Sequence, residues 1–309
     1  MNLKILAAVA AALVMSSCGP RNDVQEVSLV RSLTGPDFSG HKYYFGWGAA
    51  MGGDPSNMQN EVKYDVLHTH DIFTNDVGGN YQGTKLIGPS TNGTQIRSQW
   101  QTYKSAMAQK DMYVQYSSGH GSESGLAVGV SYDNMRDFAL SLPNQEVVIF
   151  TMACYSGNLV SSFNRRRADW QNWGAQGRTL LVMSSSQADE ESSTGPGTDP
   201  DQPSSPDGSA GSAFGHALWK ALIGYADGYV DGVKDGFVSL GEIVAFAHDR
   251  TIEIGGHTPE ITGIYSENLV MNKVPSAAFL KDLEGSTEGM SDTDIMKQIR
   301  ALDLELAVK

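Results

Sequence analysis

Two six-residue runs, Val147 to Met152 (VVIFTM) and Thr179 to Ser184 (TLLVMS), are apolar almost without interruption. A strand with one wet face alternates apolar and polar side chains. A strand apolar on both faces has to be covered on both, which is the situation of a parallel strand between two layers of helices. Both runs are also far too short to be buried helices. Around them lie further strand candidates, Lys42 to Trp47 (KYYFGW), Val62 to Leu67 (VKYDVL) and Met112 to Tyr116 (MYVQY). Between these, Ile96, Trp100, Tyr103 and Met107 recur at helical spacing in 94–109. Phe214 to Leu222 reads as a helix capped by Ser212, and Ser239-Leu240-Gly241-Glu242 is a capping box opening a helix through His248. Strands alternating with helices predict an α/β, three-layer sandwich with a mostly parallel sheet flanked by helices.

The chain has 309 residues, enough for one large core, and its 40% hydrophobic and 18% charged residues fit a globular protein. A formal net charge of -13 argues against nucleic acid as a partner, since phosphate binding needs basic density. Residues 1–18 combine Lys4, an apolar run from Ile5 to Met15 and Ser16-Ser17-Cys18, which reads as an export signal too short to span a bilayer. Met15-Ser16-Ser17-Cys18 resembles the lipobox of bacterial lipoproteins, which implies lipidation of Cys18 and an exported, lipid-anchored protein that meets the membrane only through that lipid. Gly19, in place of a retention Asp, favours the outer membrane. Residues 19–40 read as a tether, 41–275 as the folded domain and 276–309 as a helical segment carrying Ile295, Ile299, Leu302 and Leu306. The Pro-, Gly-, Ser- and Asp-rich stretch Thr194 to Ser212 predicts a mobile loop. With Cys18 lipidated, Cys154 is the one free thiol left.

Two of the strands run into polar, glycine-bearing turns: Met112 to Tyr116 into Ser117-Ser118-Gly119-His120-Gly121, and Val147 to Met152 into Ala153-Cys154-Tyr155-Ser156-Gly157. Sites in open parallel sheets form outside the carboxyl ends of the strands. If the two strands are neighbours, His120 and Cys154 emerge side by side. An imidazole next to a thiol promotes its ionisation and later protonates a leaving amine. The Gly121 and Cys154 amides would form an oxyanion hole for the tetrahedral intermediate.

The segments YVQYSSGHG (Tyr113 to Gly121) and VVIFTMACYSG (Val147 to Gly157) resemble, in order and spacing, the His-Gly and Ala-Cys blocks of the caspase and legumain superfamily of cysteine peptidases. Ser184 to Ser193 (SSSQADEESS) resembles the segment after the next strand in legumains. The resemblance implies a caspase-like domain with His120 as catalytic histidine, Cys154 as nucleophile and Ser193 at the substrate pocket. Met152 stands where legumains carry Glu and caspases Gln, and Ser212 falls near a position legumains fill with Asp. The implied activity is that of a cysteine endopeptidase acting on peptides or proteins through a thioester acyl-enzyme. The alternative is an inactive pseudo-peptidase that serves as a binding or scaffolding lipoprotein. A pocket of Met152, Ser193 and Ser212 has few charges and predicts an uncharged residue such as Asn before the cleaved bond, unless Asp189, Glu190 or Glu191 turns inward.

Other motifs yield to simpler readings. No Gly-x-Ser-x-Gly supports a serine hydrolase. His68 and His70, placed on one face of the strand candidate around 62–67, lack a good third metal ligand beside Asp71. Gly46, Gly48, Gly52 and Gly53 miss the dinucleotide register. Asp231 to Glu242 approximates a calcium loop through Asp231, Asp235 and Glu242, but Val233 breaks it, and a turn followed by the capping box is favoured. No cofactor and no metal is expected.

Overall fold

The computed structural model describes residues 38–51, 54, 56–74, 79–192 and 211–274. Six strands form the central sheet in the order β10-β8-β7-β3-β1-β2. They are β1 (Lys42–Ala49), β2 (Gln82–Ile87), β3 (Met112–Gly119), β7 (Glu146–Met152), β8 (Thr179–Ser184) and β10 (Ile261–Ile264). All pair in parallel except β10, which runs antiparallel to β8 at one edge. β7 and β8 lie inside the sheet and are buried along their whole length, as their unbroken apolar runs require.

Helices cover both faces. On one side α1 (Ser56–Thr74), α6 (Ala213–Lys220) and α7 (Leu240–Gly255) place Val66, Phe73, Phe214, Leu218 and Ile243 against Tyr44, Val114, Phe150 and Met183 of the sheet. On the other, α2 (Gly93–Ala106), α3 (Tyr132–Leu140), α4 (Gly157–Arg165) and the single-turn α5 (Arg167–Trp170) place Ile96, Trp100, Phe138, Phe163 and Trp170 against Phe45, Trp47, Tyr113 and Ile149. Each such side chain contributes roughly 1.5–3 kcal/mol on full burial. The three-layer α/β sandwich expected from the sequence is the fold. Two small sheets lie outside it, β4 (Gly121–Ser122), β5 (Gly125–Leu126) and β6 (Val130–Ser131) after His120, and the antiparallel pair of β9 (Phe237–Ser239) and β11 (Val270–Lys273).

Local chemistry starts the helices at capping side chains. Asn92 Oδ1 accepts from the Thr94 and Gln95 amides (3.0 and 3.2 Å) to open α2, and Ser212 Oγ accepts from Gly215 N (2.9 Å) to open α6. The Ser239–Glu242 box opens α7, which continues past His248 to Gly255 and stops at the left-handed Gly256 (φ 68°).

One element differs from the sequence reading. Val62 to Leu67 is part of α1 and not a strand. Glu61, Val62, Asp65, Val66, Thr69, Ile72 and Phe73 are its buried positions, a spacing of three and four that only a helix brings to one face. The strand next to β1 is instead β2, whose polar sequence QGTKLI suits a sheet edge. The predicted C-terminal helix, the leader with Cys18, most of the tether, and the loop up to residue 210 with Ser193 lie outside the described residues. No helix among the described residues is long and apolar enough to cross a membrane.

Candidate active site

β3 and β7 are neighbours, paired in register to the final couple Ser118 and Met152. Two residues further along each strand stand His120 and Cys154, so the sheet delivers both to one edge. The turns that carry them interlock. At Gly119 the backbone has φ 151°, and a β-carbon would lie 2.6 Å from the Ala49 carbonyl oxygen of β1. At Gly121 a β-carbon would collide with the Cys154 carbonyl oxygen and lie 2.8 Å from Ala153 Cβ. Glycine after the histidine therefore lets the histidine turn rest directly on the cysteine turn.

An acid completes the histidine's surroundings. His120 Nε2 lies 3.1 and 3.2 Å from the two carboxylate oxygens of Asp54, just beyond β1. Asp54 is itself anchored: Met51 N donates to its Oδ2, its own amide donates to Met51 O (3.1 Å), and Gln59 Nε2 donates to its carbonyl (2.8 Å). A proton on Nε2 directed at Asp54 leaves Nδ1 as the accepting nitrogen of the ring. The imidazole is about one-third exposed and the carboxylate 15%, so water reaches the site and the pair is still partly shielded.

The cysteine turn is held by a cluster of serines. Ala153 N donates to Ser185 Oγ (3.1 Å), while Ser185 Oγ and Ser186 Oγ lie 3.2 and 3.1 Å from the Ala153 carbonyl. Ser156 Oγ bridges to Ser185 and Ser186 at 3.2 Å each, and Ser185 reaches Ser192 at 2.8 Å. Tyr155, next to the thiol, adopts φ 58°. Such left-handed backbone costs about 1 kcal/mol or more for a residue other than glycine and persists because its surroundings impose it. Here Tyr155 N donates to Glu190 O (2.8 Å) and Asn158 Nδ2 ties Tyr155 O to Ala188 O (3.1 and 2.7 Å). Cys154 is a free thiol, half-buried, with Sγ 3.9 Å from the Ser192 carbonyl.

Of the residues assigned to the pocket from sequence, Met152 and Ser212 converge, and an unforeseen acid stands between the elements that carry them. Asp65 of α1 accepts from Ser118 Oγ (2.8 Å) and Ser212 Oγ (2.7 Å) on Oδ2, and from Ser212 N (2.9 Å) on Oδ1. Met152 Sδ lies 3.6 Å from the same Ser118 hydroxyl. Burial pushes the Asp65 carboxyl up to about 6, against the opposing effect of these hydrogen bonds.

The remaining motifs separate. His68 and His70 lie on a helix and diverge, correcting their placement on one strand face. His68 packs between the rings of Tyr64 and Trp219, where burial and then His216 hold its pKa down at about 4. His70 lies 3.2 Å from Asp71 and 3.3 Å from Lys85 Nζ. Around Asp231 the carboxylates serve the backbone: Asp231 accepts from Val233 N, Asp235 from Phe237 N, and Glu242 from Gly228 N, Ser239 N and Ser239 Oγ. This is the turn and capping box. Among the described residues no group of three or more His, Cys, Asp or Glu side chains is placed to hold a metal ion.

No family model and no curated protein matches the chain. Among solved structures it is similar to the crystal structure of protein GSU0716 from Geobacter sulfurreducens, with 13% identity and a TM-score of 0.43, over 78% of this chain and 96% of that one. That likeness is too distant to carry an argument about function.

Proposed function

We propose that the chain is a cysteine endopeptidase of the caspase and legumain kind, with Cys154 as nucleophile and His120 as acid and base. The observation that carries the reading is the in-register pairing of β3 and β7, which brings the two turns into contact with Asp54 facing the histidine. In the proposed reaction the Cys154 thiol gives its proton to His120 Nδ1 and its sulfur attacks the peptide carbonyl. The amides of Gly121 and Cys154 receive the developing oxyanion. His120 then protonates the departing amine, leaving a thioester on Cys154. A water molecule, deprotonated by the same nitrogen, hydrolyses the thioester and restores the thiol. Asp54 is a positioning residue in this scheme, fixing the tautomer through Nε2 as the carboxylate of a Ser-His-Asp triad does. The leader reading completes the proposal as a lipoprotein anchored through Cys18.

Two measurements test it. Iodoacetamide near neutral pH should alkylate Cys154 well ahead of an unactivated thiol, whose pKa is about 8.5. Cys154→Ala and His120→Ala should each abolish hydrolysis of a peptide library while keeping a cooperative thermal melt. A slow thiol together with no cleavage would instead favour an inactive scaffold, and turnover persisting in Cys154→Ala would refute the mechanism.

A further inference from the structure

Asp65 has an arrangement that needs explaining. It is 2% exposed, and its described partners are all neutral: two serine hydroxyls and one backbone amide, with the Tyr116 hydroxyl alongside. Burying a carboxylate costs several kcal/mol unless a cation or a full set of hydrogen bonds offsets it. The fold nonetheless makes room for it: a β-carbon at Gly215 would collide with Oδ1, and one at Gly211 would come within 2.7 Å. A hydrophobic residue at 65 would satisfy the packing of α1 on the sheet without that cost. The acid is also tied to the strand ends that carry the proposed chemistry. Ser118 stands two residues before His120, and Met152, in contact with Ser118, two residues before Cys154. Two residues of strand cover about 7 Å, a distance an extended long basic side chain can bridge.

We propose that Asp65 is the base of the pocket for the residue preceding the cleaved bond, and that the pocket selects lysine or arginine there. The inference rests on the peptidase reading and replaces the uncharged residue expected from the sequence. The incoming ammonium or guanidinium supplies the counter-charge that the carboxylate lacks among its described partners. Ser118 and Ser212 hold the carboxylate in place for it. Met152, an unbranched and adaptable side chain, lies over Ser118 and moves aside on entry. The other acids near the cysteine are engaged elsewhere. Glu190 Oε2 accepts from Gln187 N (3.1 Å) and Thr258 N (2.8 Å), Glu191 accepts from Tyr155 OH (3.1 Å), and Asp189 faces solvent.

The test uses matched fluorogenic peptides with Arg, citrulline, Lys, norleucine and Asn before the bond, on the full chain and on Asp65→Asn. Arginine should exceed its neutral isostere citrulline, and lysine norleucine, by about 100-fold in kcat/KM, the scale on which an unpaired buried charge is discriminated. Asp65→Asn should lose that ratio. Equal turnover of charged and neutral isosteres would overturn the proposal, with the peptidase reading intact. A basic preference surviving in Asp65→Asn would overturn it in favour of Asp189, Glu190 or Glu191. No cleavage of any peptide, together with a Cys154 that iodoacetamide alkylates no faster than a free thiol, would bring down the peptidase reading and this inference with it. Should Asp65→Asn melt without cooperativity, the 13C signal of the Asp65 carboxyl with and without agmatine decides. A shift supports the proposal, and an unmoved signal at saturating agmatine rejects it.

Discussion

The two helical layers bury polar groups in opposite ways. Where α2 packs on the sheet the buried polar contacts are neutral: Trp100 Nε1 and Tyr113 OH both donate to Gln115 Oε1 (2.8 and 2.9 Å), and Trp100 stacks on Phe138 at 4.8 Å. Under α1 and α6 it is ionisable, with Asp65, His68 and His216 buried or nearly so. Neutral networks stabilise a core at any ordinary pH. Ionisable ones tie stability to proton binding, and one of them, Asp65, is hydrogen-bonded to Ser118 near the end of β3.

The sharpest way to break that contrast is through Trp100. Trp100→Ala removes a stacked, hydrogen-bonded core ring and should cost about 3–5 kcal/mol. Since its partners do not titrate between pH 4 and 8, urea denaturation should return the same loss at pH 4.5 and pH 7.5. A loss that varied with pH would erase the distinction between the layers.

Asp65→Asn should behave differently. The folded carboxyl titrates at about 6, above its unfolded value, so the folded chain binds the proton more tightly. Stability from this group is full at low pH and is lost as pH rises from about 4 to about 6, an effect of roughly 3 kcal/mol. His68, held at about 4, works the other way, and its contribution is lost as pH falls from about 6.5 to about 4. In the wild type the two slopes oppose each other within one helix. Asp65→Asn should expose the histidine's, giving a protein at least as stable as wild type relative to its acid value at pH 7.5 and distinctly more acid-sensitive. Identical pH slopes in the two proteins would disprove this coupling.

The smallest effect belongs to the serine cluster at the boundary of the layers. Ser185→Ala removes hydrogen bonds to Ala153 and Ser192 and should cost about 1 kcal/mol of stability. On the peptidase reading proposed above, it should also lower kcat on peptides more than it raises KM, because it loosens the turn bearing Cys154 without touching the pocket. An unchanged kcat would confine the cluster to stability alone.

How much of this was legible in the sequence depended on how far the deciding contacts reach. Runs such as 147–152 declare a strand by themselves, because continuous apolarity leaves the backbone few alternatives. VKYDVL does not: six residues alternate well enough for a strand, and only Val62, Val66, Thr69 and Phe73 taken together reveal a helical face. Edge strand β2 is not legible in the sequence because the polar residues that suit an edge also resemble a loop. His120 and Cys154 stand out in the sequence because each follows a readable strand. Asp54 follows β1 as they follow β3 and β7, and that parallel was the available signal for it. Asp65 had none, since its burial is made by Ser118 and Ser212, 53 and 147 residues away.

The strand order has a consequence for how the chain acquires its shape. β1 is made first, yet its partners are β2, some forty residues on, and β3, seventy residues on in the register of Lys42 with Met112. β8 acquires its outer neighbour only when Ile261 to Ile264 has arrived to meet Leu180 to Met183. Closing loops of that length comes before any pairing rewards it, which places the chain among slow folders. Until β10 docks, the apolar strand β8 presents an open edge able to join another chain. Dilute refolding should therefore recover more native protein than concentrated refolding, and shortening the wait for residues 261–264 is what a chaperone or a favourable refolding condition would have to accomplish.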